Sequence, residues 1–279
     1  MPSKLLNQKL KPSIEFEALG THWFIEVASG ISSQQEHAVH DVLDTIDRVW
    51  SRFRDDSLVA VMSSRAGEYA LSSADRGLMQ WYRQLYEATD GQVTPLIGQT
   101  LADAGYDATY RLTPKTIIAA TPTWNEVIRL TDTGITMTRP ALIDVGAAGK
   151  GFAIDAVADL FEDTSYTIDA GGDMRLEGAA QIIGLEHPLR AGELIGTFNI
   201  KDKSICGSAG NRRQWGDWHH IINPETSRPV EGVIATWAVA DTAMHADGIA
   251  SALFFTPPEQ LTLLGDFEYV IMYDNGKVY

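Results

Sequence analysis

The stretch IDVGAAGKGFAIDAVADLF, Ile143 to Phe161, decides how the chain is read. An apolar entry, Ala141-Leu142-Ile143, leads to Asp144; a turn with Gly146, Gly149 and Gly151 follows, then a run with apolar residues at helical spacing. The pattern predicts strand, glycine turn, helix N-terminus. Such a turn aims backbone N–H groups and the positive end of a helix dipole at one point, a place for an anion such as phosphate. Two common phosphate loops do not fit. Lys150 follows Gly149 too early for a Walker loop, and Gly151 stands where Ser or Thr is needed. The glycines also run wide-then-tight, the reverse of the dinucleotide fingerprint. A plain packing turn, in which glycine only lets a helix approach a strand, explains these residues equally well.

Working outward, 279 residues at 44% hydrophobic and 21% charged suit one large globular unit or two closely joined lobes. No repeat, low-complexity tract or linker divides them, so residues 1–279 read as a single domain with residues 1–15 as a flexible arm. A formal net charge of -15 argues against nucleic acid and anionic membrane surfaces as partners. Cys206 is the only cysteine, which rules out an intramolecular disulfide and a cysteine-based zinc cluster, and its apolar setting suggests a buried structural thiol. The first residues build neither a signal-peptide core nor a spanning helix. The sequence as written is therefore expected to be cytoplasmic, or periplasmic or membrane-associated if a leader has been removed.

Apolar spacing predicts two strand segments joined near Gly20 within Phe16 to Val27, an amphipathic helix over Gln34 to Trp50, and a second over Ser73 to Thr89. The aromatic stripe on that second helix, Trp81, Tyr82 and Tyr86, reads as core. Gln92 to Tyr106 reads as an irregular loop over a ligand, Thr113 to Ala120 as a short helix, and Trp124 to Thr138 as two strands. Tyr166 to Arg175 reads as a strand interrupted by Gly171-Gly172, which marks a bulge or a ligand close to the backbone. Leu194 to Ile205, His219 to Ile222 and Val233 to Ala240 are further strands. Asp241-Thr242 starts a helix over Ala243 to Phe255, and Tyr269 to Tyr279 closes as a hairpin.

Chemistry is legible in few places. Asp247 and Ser251 are four apart on the last helix, so a carboxylate and a hydroxyl share a face; with a backbone carbonyl from the glycine turn they would suit a hard cation such as Mg²⁺. A solvated pair is the competing reading. His219 and His220 point to opposite faces of a strand, so at most one serves a given site. His37 and His40 share a helix face without a third ligand nearby. There is no Ser-His-Asp spacing signature and no H-E-x-x-H motif.

Taken in order, the segments ALGTHW (Ala18 to Trp23), SRFRDDS (Ser51 to Ser57), TDG (Thr89 to Gly91), DVGAAGKGFAID (Asp144 to Asp155), DAGGDMR (Asp169 to Arg175), GSAGNRR (Gly207 to Arg213), HIINPETSRPV (His220 to Val230) and ADTAMHADGIASALF (Ala240 to Phe254) resemble the FAD:protein FMN transferase (ApbE) family. The resemblance spans nearly the whole chain. It implies an α+β fold, mixed sheets flanked by helices in a two-lobed single unit with a flavin cleft. It further implies Mg²⁺-dependent transfer of FMN from FAD to a Thr or Ser hydroxyl of an acceptor flavoprotein, with release of AMP. In that pattern Ala147, Asp247 and Ser251 would bind the metal, and Asp144, Lys150 and the amides of the glycine turn would face FAD. Leu19, Phe53, Gln92, Val93, Thr94 and Ile222 fall at other flavin-contact positions, and His220 is the candidate acid/base beside Asp247. The sequence departs from the pattern at Thr94 and Asn223, where Asp is usual, at Ser63 for Asn and at Ser251 for Thr. Hydrolysis of FAD to FMN and AMP, and FAD binding without turnover, are the alternatives.

Overall fold

The computed structural model describes residues 11–279. Its main element is a seven-stranded sheet formed by β1 (Lys11–Ala18), β2 (Thr21–Ile31), β3 (Tyr166–Ala170), β4 (Asp173–Glu177), β5 (Ser204–Ala209), β6 (Val233–Ala240) and β7 (Glu268–Tyr273). The strands lie in the sheet in chain order and every neighbouring pair is antiparallel. Side chains alternate between the two faces. In β5, Cys206 joins the core under the helices, while Ile205 joins the cluster under a separate hairpin, Gln181–Glu186 with Leu194–Ile200.

Four helices position the site: α1 (Ser33–Trp50), α2 (Ser73–Ala88), α3 (Gly149–Ala158) and α4 (Ala243–Ala252). Local chemistry starts them. Ser32 and Gln35 form a reciprocal capping box at α1, Ser72 accepts the Asp75 amide at α2, and Thr242 accepts the His245 amide at α4. α1 and α2 are amphipathic, whereas α3 is buried nearly all round through Phe152, Ala153, Ile154, Val157 and Ala158. α3 packs against α4 at Gly151, where an added Cβ would come within 2.1 Å of the Ala243 carbonyl oxygen. That glycine is therefore a packing glycine, but the element it lets α3 approach is a helix and not the expected strand.

Several expectations are overturned. Lys11–Glu15 of the expected arm belongs to β1; residues 1–10 lie outside the described residues. Ala141–Asp144 is not a strand. Its amides reach isolated carbonyls, Ala141 to Met62 and Asp144 to Pro95, so no ladder forms. Gln92–Tyr106 is not irregular: Thr94 caps a 3₁₀ turn at Pro95–Ile97, and a buried helix follows at Gly98–Asp103. Thr113–Ala120 forms no helix and is irregular, bent at Thr116 and Ile117, because the Lys115 and Ala119 amides bond to buried Asp103, a tertiary tie that outweighs helix propensity. Gly171 and Gly172, at φ 69° and 96°, make the turn between β3 and β4 rather than a bulge. Lys201–Lys203 breaks the expected Leu194–Ile205 strand, His220 and Ile221 fall between two two-residue ladders, and α4 ends at Ala252.

The α3–α4 contact and an open position on α2 make opposite predictions for glycine replacement. Gly151→Ala should destabilise the protein by about 3 kcal/mol, because backbone has to move. Gly77→Ala, which meets nothing within 4 Å, should stabilise it by about 0.5–1 kcal/mol. Urea denaturation of the two variants checks both signs.

Candidate active site

The glycine turn does not present its amides outward. The Gly146 amide donates to Asp144 Oδ1 (2.7 Å), those of Ala147 and Ala148 to the Tyr82 hydroxyl oxygen (3.1 Å each), that of Gly149 to the Val145 carbonyl (2.7 Å) and that of Gly151 to Asp247 Oδ2 (2.9 Å). The expectation that these amides face FAD is corrected: each spends its proton inside the protein. The turn instead offers a carbonyl. Ser251 Oγ lies 3.2 Å from the Ala147 carbonyl oxygen, and Asp247 stands one turn earlier on α4.

Ala147, Asp247 and Ser251 are thus brought together, from two segments about a hundred residues apart in sequence. Among the described residues no group of three or more His, Cys, Asp or Glu side chains could hold a metal ion. One carboxylate, one hydroxyl and one carbonyl nevertheless form an all-oxygen set, which fits Mg²⁺ bound through few protein ligands. Asp247 is buried, and burial, then the nearby carboxylate of Asp173, pushes its carboxyl up to about 8 against the opposing pull of Lys150. Lys150 Nζ pairs with Asp173 at 2.7 Å, and Asp173 also accepts the Gly207 amide at 2.8 Å. Burial disfavours the charged Lys150 ammonium, but Asp173 and Asp247 outweigh it and raise its pKa. Two buried carboxylates share one ammonium here.

A second cluster lies around Asp144. Arg52, almost fully buried, donates from Nε to Asp144 at 2.5 Å and from Nη1 to the Tyr106 carbonyl at 2.7 Å. Its guanidinium sits 4.2 Å from the Phe53 ring centroid and 4.7 Å from that of Tyr106. Phe53 also stacks on Tyr110 at 5.5 Å. His220 is held neutral, its pKa lowered to about 4 by burial, then by Arg213 and His219, with Asp144 pulling the other way. His219 is occupied elsewhere, its Nε2 donating to Val230 and its Nδ1 accepting from the Ile221 amide. Arg52 Nη2, Gln92 Oε1 and His220 Nδ1 are buried polar atoms without a hydrogen-bond partner among the described residues. All three belong to segments expected to face the ligand, as a polar ligand site requires.

The remaining expected contacts divide. Ile222 packs with Tyr106 and Trp215 beside Phe53. Leu19 occupies the β1–β2 turn at φ 51° and touches the core under α1. The side chain of Val93 is buried in the α2 core, and its amide donates to the Thr89 hydroxyl at 3.0 Å. Thr94 is also buried, and its hydroxyl accepts the Leu96 amide at 3.2 Å. Asn223 Oδ1 accepts the amides of Glu225 (2.9 Å) and Thr226 (3.1 Å). Both departures from the Asp of the family pattern therefore keep a local acceptor role that Thr, Asn and Asp share.

Four residues of the site went unassigned in the sequence. Arg52 and Asp173 lie within quoted motifs, but nothing in spacing says that one reaches Asp144 and the other Lys150. Asp155 accepts the Ala243 and Met244 amides at the start of α4 and pairs with Arg175. Tyr82 is core, as the aromatic stripe predicts, but its phenol oxygen also reaches the glycine turn; burial, then Asp144 and Asp247, raise that phenol well above the usual range, and it stays protonated.

The fold, with its chain-ordered antiparallel sheet, is a known one. The fold matches the crystal structure of the ApbE protein from Thermotoga maritima, with a TM-score of 0.82 and 22% identity over 96% of each chain. It also matches the flavin transferase ApbE from Vibrio cholerae, at a TM-score of 0.78, 20% identity and 96% of each chain. A model of the ApbE family matches residues 19–270, and the chain belongs to that family. An FAD:protein FMN transferase of Rhodobacter capsulatus is 26% identical over 227 residues, 73% of this chain and 42% of its own. That of Salmonella typhimurium is 25% identical over 265 residues, 84% of this chain and 75% of its own. The chain thus spans less than half the length of the Rhodobacter relative.

If the acceptor role is what Asn223 supplies, Asn223→Asp should leave stability within about 0.5 kcal/mol of wild type, whereas Asn223→Ala should cost about 1 kcal/mol. Denaturant midpoints of the two variants, measured together, test this.

Proposed function

We propose that this chain transfers FMN from FAD to a Thr or Ser hydroxyl of an acceptor protein, releasing AMP, with Mg²⁺ at Ala147, Asp247 and Ser251. The observation that supports this reading most directly is the meeting of the Ala147 carbonyl with Ser251 Oγ beside buried Asp247. The names of the curated relatives point the same way. When bound, Mg²⁺ would neutralise pyrophosphate charge that otherwise repels an incoming hydroxyl.

The chain's own residues carry the rest. The acceptor oxygen attacks the phosphorus of the FMN half, the bond from that phosphorus to the bridging oxygen breaks, and AMP leaves with that oxygen. His220 is the candidate to take the hydroxyl proton; with its pKa lowered to about 4 the imidazole is neutral at pH 7 but a weak base, so bound phosphate charge would have to raise that value for the transfer. Lys150, fixed by Asp173, brings a positive charge to the side of the site where phosphate oxygens would lie. Phe53 and Ile222 supply apolar surface for a flavin ring, and Arg52 Nη2 and Gln92 Oε1 supply a donor and an acceptor. Retained acceptor roles at Thr94 and Asn223 favour turnover over mere binding.

Incubation with FAD, Mg²⁺ and candidate acceptors should yield AMP and covalently flavinylated protein, resolved by chromatography and mass spectrometry. AMP with free FMN and no adduct would mean hydrolysis, and intact FAD would refute the proposal. Asp247→Ala should lower metal-dependent AMP release by at least about a hundredfold while leaving the circular dichroism spectrum unchanged.

Asp247 also sets a pH dependence. A cation needs the carboxylate, but this carboxyl holds its proton up to about 8. Mg²⁺ binding should therefore release a proton below that pH, and the apparent affinity should fall as pH drops, by at most about tenfold per unit. Calorimetric titrations in buffers of different ionisation heat measure the proton count directly.

A further inference from the structure

We infer that Tyr82 is a positioning residue for the site: its phenol oxygen orients the peptide carrying the Ala147 carbonyl, so that this oxygen faces Ser251 and a cation. The inference rests on the metal reading given above.

The argument begins with peptide geometry. The Ala147 carbonyl and the Ala148 N–H belong to one planar trans unit and point in opposite directions. Tyr82 accepts that N–H at 3.1 Å, and on the other side the carbonyl oxygen lies 3.2 Å from Ser251 Oγ. The phenol also accepts the preceding amide, of Ala147, at 3.1 Å, so two consecutive peptide units are fixed by one atom. That atom cannot drift. Tyr82 is wholly buried in α2 among Leu78, Met79 and Leu85, and belongs to a rigid helix rather than to the turn itself.

Among the described residues the Ala147 amide has no other acceptor, and the Ala148 amide has only a longer second one, the Val145 carbonyl at 3.3 Å. Without the phenol oxygen the Ala147 amide loses its acceptor and the 147–148 peptide is held only by that longer bond and by Ser251, so its carbonyl is less firmly aimed at α4. The neighbouring amides remain held, Gly146 by Asp144 and Gly151 by Asp247. Loss of Tyr82 oxygen should thus disturb the carbonyl ligand selectively. Phe at this position keeps nearly all the packing and removes only the acceptor.

The test uses the full chain titrated with Mg²⁺ and Mn²⁺ alone, by calorimetry and by Mn²⁺ electron paramagnetic resonance. Tyr82→Phe is expected to weaken cation binding by about tenfold. In transfer assays the Mg²⁺ concentration for half-maximal rate should rise by about the same factor, with the rate at saturating Mg²⁺ within about twofold of wild type. Gly77→Ala, which alters the same helix at a position that meets nothing within 4 Å, should leave cation affinity unchanged. A folded Tyr82→Phe protein with wild-type cation affinity overturns the inference. If wild type binds the cation, Asp247→Ala abolishes binding and Tyr82→Phe does not weaken it, this inference alone fails; if wild type binds no cation, the proposed metal site fails with it. Should Tyr82→Phe fold poorly, two measurements remain. The variant can be placed on the Gly77→Ala background, and amide exchange of Ala147 and Ala148 in wild type should be as slow as in the α2 core. Exchange at open-chain rates would overturn the inference without any variant.

Discussion

Gly151 has no side chain, and because of that α3 and α4 cross with backbone in contact. The contact brings the Gly151 amide onto Asp247, and it sets Ser251, one turn further along α4, opposite the Ala147 carbonyl. Asp155, one turn into α3, closes the same junction from the other side by accepting the first two amides of α4. Each helix therefore supplies an acceptor for the other's unpaired N-terminal donors. The oxygens of the candidate site are a by-product of that crossing: they are adjacent because the helices can approach no other way.

Such a junction carries an electrostatic cost. Asp247 and Asp173 are both buried, the ammonium of Lys150 pairs with Asp173, and Asp155 is raised by burial even though Arg175 pairs with it. Removing charge from water is unfavourable unless partners compensate it. Around Asp155 the compensation is nearly complete, with two amides and a guanidinium. Around Asp247 it is not. A structural carboxylate is finished by its neighbours, whereas this one is left short of positive charge, as a group with work still to do is expected to be.

How much of this was legible depends on whether a residue acts along the chain or across it. The apolar faces of α1 and α2, the start of α4 at Thr242, the Val233–Ala240 strand and the Asp247–Ser251 spacing are local, and local pattern shows them. Thr113–Ala120 misleads because Asp103, far behind it in the fold, captures two of its amides. The glycine turn looks like an anion cradle in sequence because spacing cannot say that Tyr82, Asp144 and Asp247 already occupy its amides. Tyr82 itself sits in an aromatic stripe and is indistinguishable there from Trp81 and Tyr86. What separates it is the segment its oxygen reaches: the Tyr82 hydroxyl accepts two amides of the glycine turn, whereas that of Tyr86 accepts the Trp124 amide.

The chain-ordered sheet has a kinetic side. Most neighbouring strands are joined by turns or modest insertions, but β2 ends at Ile31 and its partner β3 begins only at Tyr166. Closing a flexible loop of that length costs about 4 kcal/mol of chain entropy before any contact across it is made. The β2–β3 seam is thus where the amino-terminal hairpin and α1 must find the rest of the molecule late, over the largest sequence separation in the sheet. The helix that bears the glycine turn arrives with β3, on the far side of that seam.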